Sequence, residues 1–301
     1  MKKSGVIVNF GGIEEPPAYE QCSFVVLPVP YDHTTSYQSG ARDGPMAILQ
    51  ASAYVELYDH ELNTNPIEHG IWTLPLQEID VSGPEATIQS VQATVTPQVK
   101  NNKFVIALGG EHSISLGAIS AYAEKYPNLT VLQFDAHTDF RNSYEGSPNS
   151  HACVMRRVSE LGVPIMQVGI RSSAEEEIIA LRENEVVTFF AENTPTPEKL
   201  VDSLKKVVKG PVYITFDLDA LDPSIMPSTG TPEPGGLLWY ETLKLIRAVT
   251  DNFTVVGFDV VELSPIPGLV APDFLAAKLT YKIAGYIGTS QQLSMTKSAE
   301  D

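Results

Sequence analysis

Strand-like and helix-like segments alternate along the chain and predict an α/β fold: a three-layer α/β/α sandwich around a mainly parallel central sheet. Two further observations support this. The β-rich runs are nearly continuously apolar, as strands are when helices cover both faces of a parallel sheet. The segments between them carry helix signals, with acidic residues in first turns and lysines in last turns, where they suit the helix dipole.

The strand-like runs are 23–28, 104–108, 130–134, 165–169, 186–190, 212–216 and 254–258. The helix-like segment 114–125 follows Ser113, which is placed as an N-cap. Segment 173–184 opens on acidic residues, and 197–209 opens with Pro197 and ends in lysines before Gly210. Segments 240–250 and 274–287 complete the set. The Pro/Gly-rich stretch 223–236 is longer than a usual strand-to-helix loop, and long loops tend to be functional. With no long linker, repeat or low-complexity tract, residues 1–301 read as one domain.

Hydrophobic residues make up 43% and charged residues 19%, so a globular protein with a substantial core is expected. Apolar runs such as FVIAL at 104–108 are too short to span a bilayer. The start MKKSGVIVNFGG has no sustained apolar stretch and runs into acidic sequence, unlike a secretory signal, so a cytoplasmic protein with no membrane partner is expected. A net charge of −17 argues against nucleic acid and suits a cationic substrate. Two cysteines, Cys22 and Cys153, do not make a disulfide framework. Cys153 lies two residues after His151, which raises a Cys–His nucleophile; a small buried apolar residue is the expected reading.

In open parallel sheets, ligands collect at the carboxyl ends of the strands. After 104–108 comes GGEHS, with Glu111 and His112. After 130–134 comes DAHTD, with Asp135, His137 and Asp139. After 212–216 comes DLDALD, with Asp217, Asp219 and Asp222, and after 254–258 comes DVVE, with Asp259 and Glu262. Extended backbone sends alternate side chains to one side, so the donors at i, i+2 and i+4 in DAHTD, and at i and i+2 in DLD, can share a site. His112, Asp135, His137, Asp139, Asp217 and Asp219 are too many donors for one tetrahedral zinc. A carboxylate-rich set suits harder octahedral ions or a bridged pair that activates water. A lone aspartate after a strand is usually a turn former, and a lone histidine is usually structural, so the joint pattern carries the argument. His33, His60 and His69 lie outside it and read as structural or surface groups.

The segments GGEHS, DAHTDF, SHACVMRR, TFDLDALDPS, TGTPEPGGL and FDVVELSP, with PYDHTTSYQSGARDGPMAI before them, resemble the ureohydrolases, the arginase and agmatinase family. The likeness runs in motif order from about Val25 to Gly285, and Glu111 stands where the more frequent form has Asp. The resemblance implies an arginase-like fold and two manganese ions per subunit, with nickel as another divalent candidate. One ion would sit on His112, Asp135, Asp139 and Asp217, and the other on Asp135, His137, Asp217 and Asp219. They would supply a hydroxide, oriented by Asp139, that attacks the guanidinium carbon. Glu262 would bind the guanidinium, and His151 would pass protons to the leaving amine, as an imidazole of near-neutral pKa can. Trimers or hexamers are what the family implies for assembly.

Within the family, Arg141, the pair Ser172 and Ser173, and the PEPGG form around Glu233 resemble agmatinases rather than arginases. The expected reaction is therefore cleavage of agmatine to putrescine and urea, a step of polyamine biosynthesis. Guanidinobutyrate, guanidine and arginine remain alternative substrates. An amide deacetylase on the same fold would need fewer ligands and one zinc. A non-enzymatic regulator would be expected to have lost His151, Glu262 or a ligand, and all are present.

Overall fold

The computed structural model describes residues 8–290; the first part of the N-terminal stretch weighed above as a leader lies outside them. Eight strands form one sheet: β1 (Phe24–Val29), β2 (Ile71–Thr73), β3 (Phe104–Gly109), β4 (Thr130–Phe134), β5 (Ile165–Ile170), β6 (Val187–Phe190), β7 (Val212–Asp217) and β8 (Val255–Val261). Their order is β2-β1-β3-β8-β7-β4-β5-β6, and every pairing in the sheet is parallel. The eight α-helices among the described residues are α1 (Gly44–Ser52), α2 (Pro84–Lys100), α3 (Ser115–Lys125), α4 (Val154–Glu160), α5 (Glu175–Glu183), α6 (Pro197–Val207), α7 (Trp239–Asn252) and α8 (Ala271–Thr289).

Continuous apolar strands have a direct structural cause. In β3, Phe104, Ile106 and Leu108 face one core, which holds Ile48 of α1, Leu200 of α6, Ile246 of α7 and Ile283 of α8. Val105 and Ala107 face the other, with Val95 of α2, Ile119 of α3, Val158 of α4 and Leu181 of α5. Helices on both faces make the expected three-layer sandwich, and alternate residues of one strand feed two cores.

Three differences from the sequence reading are instructive. The edge strand β2 is only three residues long and carries no periodic signal. Helix α2 hides because Pro97 lies inside it, and an internal proline reads as a stop. Ser113 does not cap α3: its hydroxyl donates to Glu111 Oε1 at 2.6 Å, and α3 starts at Ser115 after one tight turn. The cap on α6 is a threonine instead, with Thr196 accepting from Lys199 N–H in front of Pro197. No described helix is long and apolar enough to cross a membrane.

Candidate metal centre

The strands that end in acidic motifs are neighbours: β3, β8, β7 and β4 are the four central strands, in that order. Adjacent strands lie about 4.8 Å apart. Their carboxyl ends therefore deliver His112, Glu262, Asp217, Asp219 and Asp135 within side-chain reach of one another. Gly110 allows the closest approach. A Cβ there would sit 1.8 Å from Tyr31 O, so only glycine lets the chain after β3 pass under the loop that follows β1. Asp139 and Glu262 both hold positive φ, 50° and 67°, a strained conformation typical of functional positions.

His112 Nδ1 lies 2.9 Å from Asp139 Oδ2, 3.1 Å from Asp135 Oδ2 and 3.3 Å from Asp217 Oδ2. His137 Nδ1 lies 2.9 Å from Asp219 Oδ2 and 3.6 Å from Asp135 Oδ1. Two donor groups result, His112–Asp135–Asp139 and Asp135–His137–Asp219, and Asp135 belongs to both through different oxygens. Asp217 approaches the first group through its contact with His112.

These residues fit a divalent-ion centre on a structural test. His112 Nδ1 is buried and makes no hydrogen bond among the described residues, while three carboxylate oxygens surround it. Ligand bonds of about 2.1 Å give octahedral edges of about 3 Å, the spacing found here. The ring is turned for this task. Thr215 Oγ1 donates to Asp259 Oδ1 at 2.7 Å and stands 2.8 Å from His112 Nε2. Its one hydrogen is spent on Asp259, so Nε2 carries a hydrogen toward Thr215, and a neutral ring presents a lone pair on Nδ1.

Main-chain donors fix the carboxylates. His137 N–H donates to Asp135 Oδ1 at 2.6 Å, Asp219 N–H to Asp217 Oδ1 at 2.8 Å, and His112 N–H to Glu262 Oε1 at 2.6 Å. Gln133 on β4 donates to Asp135 Oδ2 at 2.7 Å and is itself held by Gln167 on β5 at 2.6 Å. Glu177 on α5 accepts from Thr138 Oγ1 and Phe140 N, which pins the DAHTDF segment. Sequence reasoning assigned no role to Gln133, Gln167, Thr215 or Glu177, and it put Asp259 beyond its strand, whereas Asp259 lies within β8 and accepts from Tyr213 and Thr215. A signal was present: polar residues at 133, 167 and 215 interrupt otherwise apolar strands, and buried polar groups need partners.

Electrostatics show how crowded the site is. Burial opposes the charge on Asp135, yet the flanking His112 and His137 rings hold it below the usual carboxylate range. Burial and the Asp135 charge push Asp139 up to about 7. Burial, then Asp219 and Asp135, push Asp217 well up, and burial with Glu111 does the same to Glu262. Burial pulls against protonation of His112 and His137, but their carboxylate neighbours outweigh it and raise both. His151 goes the other way, down to about 4, by burial and then by the His137 charge. It is therefore a neutral imidazole at pH 7, not the near-neutral titrating group expected from its residue type.

These shifts give a pH prediction for chelated protein. Asp139, Asp217, Glu262, His112 and His137 all have folded values above their unfolded ones, so each contributes stability that is lost as pH rises through the folded value. His151 is depressed and works oppositely, but only below its ordinary 6.5. Above about pH 6.5 the chelated protein should therefore lose stability as pH rises. With manganese present the slope should flatten or reverse, because ions take the place of protons. Calorimetry across that range checks this, and a flat profile without metal would refute it.

The inner cavity beside the cluster is small, about 20 Å³, and is lined by His112, Asp139, His151, Glu262 and residues 35–38. It shares Ser36, His137, Asp139, His151 and Thr231 with an outer bay of about 290 Å³ that also reaches Arg141, Ser172, Ser173 and Glu233. A larger groove of about 840 Å³ between α6 and α7 is remote from these groups. Of the loop at 223–236, Glu233 reaches the bay, with Oε1 3.9 Å from His137 Nε2. Arg171 staples this loop by donating to Glu233 O at 2.7 Å and Asp219 O at 2.6 Å. Asp222 is a turn anchor that accepts from Gly235 and Gly236 N–H.

His33 and His60 are exposed, and His69 packs edge-on against Phe24. Cys22 is buried, as expected of a core residue. Cys153 is also buried, and burial followed by the Asp139 charge pushes its thiol up to about 11, which leaves almost no thiolate. That removes the physical basis for a cysteine nucleophile.

A parallel sheet whose central strand ends bring two histidines and four aspartates together defines a three-layer α/β/α protein with a His/Asp cluster that could hold metal. The arginase family model matches residues 22–285, and the chain belongs to that family. It is an agmatinase-like ureohydrolase, acting on guanidino C–N bonds. An N(1)-aminopropylagmatine ureohydrolase of Synechocystis is 42% identical over 283 residues, covering 91% of this chain and 92% of the relative. An agmatinase of Bacillus cereus is 35% identical, covering 84% and 88%. The crystal structure of the agmatine ureohydrolase of Thermoplasma volcanium superposes with a TM-score of 0.85 at 30% identity, covering 98% of each chain.

Proposed function

We propose that this enzyme releases urea from the guanidino end of a cation-tailed amine, N(1)-aminopropylagmatine first and agmatine second. One observation carries the choice of tail. The outer bay offers the carboxylate of Glu233, while both nearby arginines are committed. Arg141 pairs with Glu176 at 3.1 Å and Glu177 at 3.8 Å, and Arg171 is spent on main-chain carbonyls. With both arginines paired, no uncommitted cation faces the carboxylate of arginine or guanidinobutyrate, and Glu233 favours an ammonium. The higher identity and coverage of the Synechocystis relative support ranking the longer amine ahead of agmatine, whose products would be putrescine and urea.

Two divalent ions, manganese by family likeness, would be held by His112, Asp135, Asp139 and Asp217 and by Asp135, His137, Asp217 and Asp219. Bound there, they supply a nucleophile at neutral pH by lowering the pKa of water. Glu262 receives the guanidinium. Its Oε1 already accepts from His112 N–H, which leaves Oε2 for the substrate N–H groups. His151, kept neutral by burial, accepts a proton in the pocket and returns it to the leaving nitrogen.

Urea release from N(1)-aminopropylagmatine, agmatine, guanidinobutyrate and arginine, with manganese, nickel and no metal, tests this reading. The two amines should exceed the two carboxylates in kcat/KM by about 100-fold, and Glu233→Gln should cut that preference about tenfold. Faster turnover of either carboxylate by the wild type would sink the assignment. Agmatine outrunning the longer amine would promote the second reading.

A further inference from the structure

The structure assigns to Glu111 a positioning role: acting through Thr34, its carboxylate fixes His151 as the Nδ1–H tautomer and leaves Nε2 as the proton acceptor in the pocket. This rests on His151 being the group that moves the proton.

Glu111 is fully buried, and three donors converge on its two oxygens. Thr34 N–H donates to Oε2 at 2.6 Å, and the hydroxyls of Thr34 and Ser113 donate to Oε1 at 2.5 and 2.6 Å. A hydroxyl has one hydrogen, so toward every other neighbour Thr34 Oγ1 accepts. It accepts from His151 N–H at 2.9 Å and stands 3.3 Å from His151 Nδ1. Facing a fixed acceptor, Nδ1 carries the hydrogen, and in a neutral ring Nε2 then bears the lone pair. Nε2 makes no hydrogen bond among the described residues, and His151 lines both the inner cavity and the bay. Ser150 Oγ lies 3.2 Å from Nδ1, but its hydroxyl can turn either way and does not decide the tautomer. The Tyr144 ring meets His151 edge-on at 6.0 Å.

The same device stands on the other side of the centre. Asp259 takes the hydrogen of Thr215, and Thr215 in turn faces His112 Nε2. Two carboxylate–threonine pairs thus set opposite tautomers in two histidines, freeing Nδ1 of His112 and Nε2 of His151. Thr34 does not depend on Glu111 alone for its place. Its loop is also held by Asp32, which accepts from Gly40 N–H at 2.9 Å and from Arg42.

The test is ¹⁵N-histidine NMR of the full chain loaded with zinc, a diamagnetic ion, with His151 assigned by its loss in His151→Asn. The expected wild-type signal is a protonated Nδ1 and a lone-pair Nε2. In Glu111→Gln the amide donates to Thr34, whose hydroxyl turns to Nδ1, so the Nε2–H tautomer should grow. kcat should fall about 10- to 100-fold with KM within about twofold. Thr34→Val should lose the tautomer preference and Thr34→Ser should restore it; this pair carries the test if Glu111→Gln does not fold. A wild-type Nε2–H signal, an unchanged tautomer in Glu111→Gln and Thr34→Val, or a reversal in Ser150→Ala overturns the assignment. If the tautomers respond as stated but wild type releases no urea from any guanidino amine, the proposed function fails and the positioning role stands.

Discussion

Asp135→Asn should lower kcat at least about a thousandfold and reduce the manganese retained by protein reconstituted with that ion. Asp135 is the shared member of the two donor groups, with Oδ2 3.1 Å from His112 Nδ1 and Oδ1 3.6 Å from His137 Nδ1. Asparagine keeps its volume and one acceptor but replaces the other oxygen with a donor and removes a charge. The amide would face Gln133 Nε2 or His137 N–H, both donors at 2.7 and 2.6 Å, so one of these contacts is also lost. Metal-assisted charge stabilisation is worth several kcal/mol, and each ~1.4 kcal/mol is tenfold in rate, which gives the expected magnitude. Metal content after gel filtration, read with steady-state urea release, separates this from a folding defect, and circular dichroism should be unchanged. Wild-type turnover by a variant that retains as much metal as the wild type would refute the shared-ligand role.

What was legible in the sequence was local or periodic. Seven apolar runs mark seven of the eight strands; six of these are buried almost throughout, and the edge strand β6 is half-buried along its length. DAHTD and DLD mark converging donors because extended backbone repeats every two residues. What was hidden depends on which strands are neighbours, and motif order does not reveal that. Gln133 is held by Gln167 because β4 pairs with β5, and Thr215 meets Asp259 because β7 pairs with β8. Thr34 and His151 are 117 residues apart and meet only when the loop after β1 lies over the end of β3. The lowered pKa of His151 is equally non-local, since burial and the His137 charge exist only in the folded chain. Substrate-tail choice was the least legible, because Arg141 shows its commitment to Glu176 and Glu177 only in three dimensions.

Glu262→Gln should separate activity from stability in opposite directions. Glu262 sits just beyond β8 with φ 67°, buried, its N–H donating to Gly110 O at 2.8 Å and its Oε1 accepting from His112 N–H. Glutamine can keep the accepting oxygen toward His112. Its amide nitrogen then replaces the free oxygen and points a donor at a guanidinium that only donates. Loss of a buried charge-assisted pair costs about 2–5 kcal/mol, so kcat/KM should fall about 100- to 10 000-fold. Metal binding should survive, because Glu262 is in neither donor group. Stability should rise. Burial and the Glu111 charge push Glu262 well above the usual carboxylate range, so its ionised form is disfavoured in the fold and costs stability at pH values where the unfolded chain is ionised. Removing that group should raise the melting temperature of chelated protein at about pH 8, and the gain should shrink toward about pH 4, where the carboxyl is protonated in both states. The strained, charge-crowded end of β8 is then retained for substrate, not for the fold, the usual direction of conflict between activity and stability. Activity within about threefold of wild type, or a lower melting temperature at high pH, would contradict this account of Glu262.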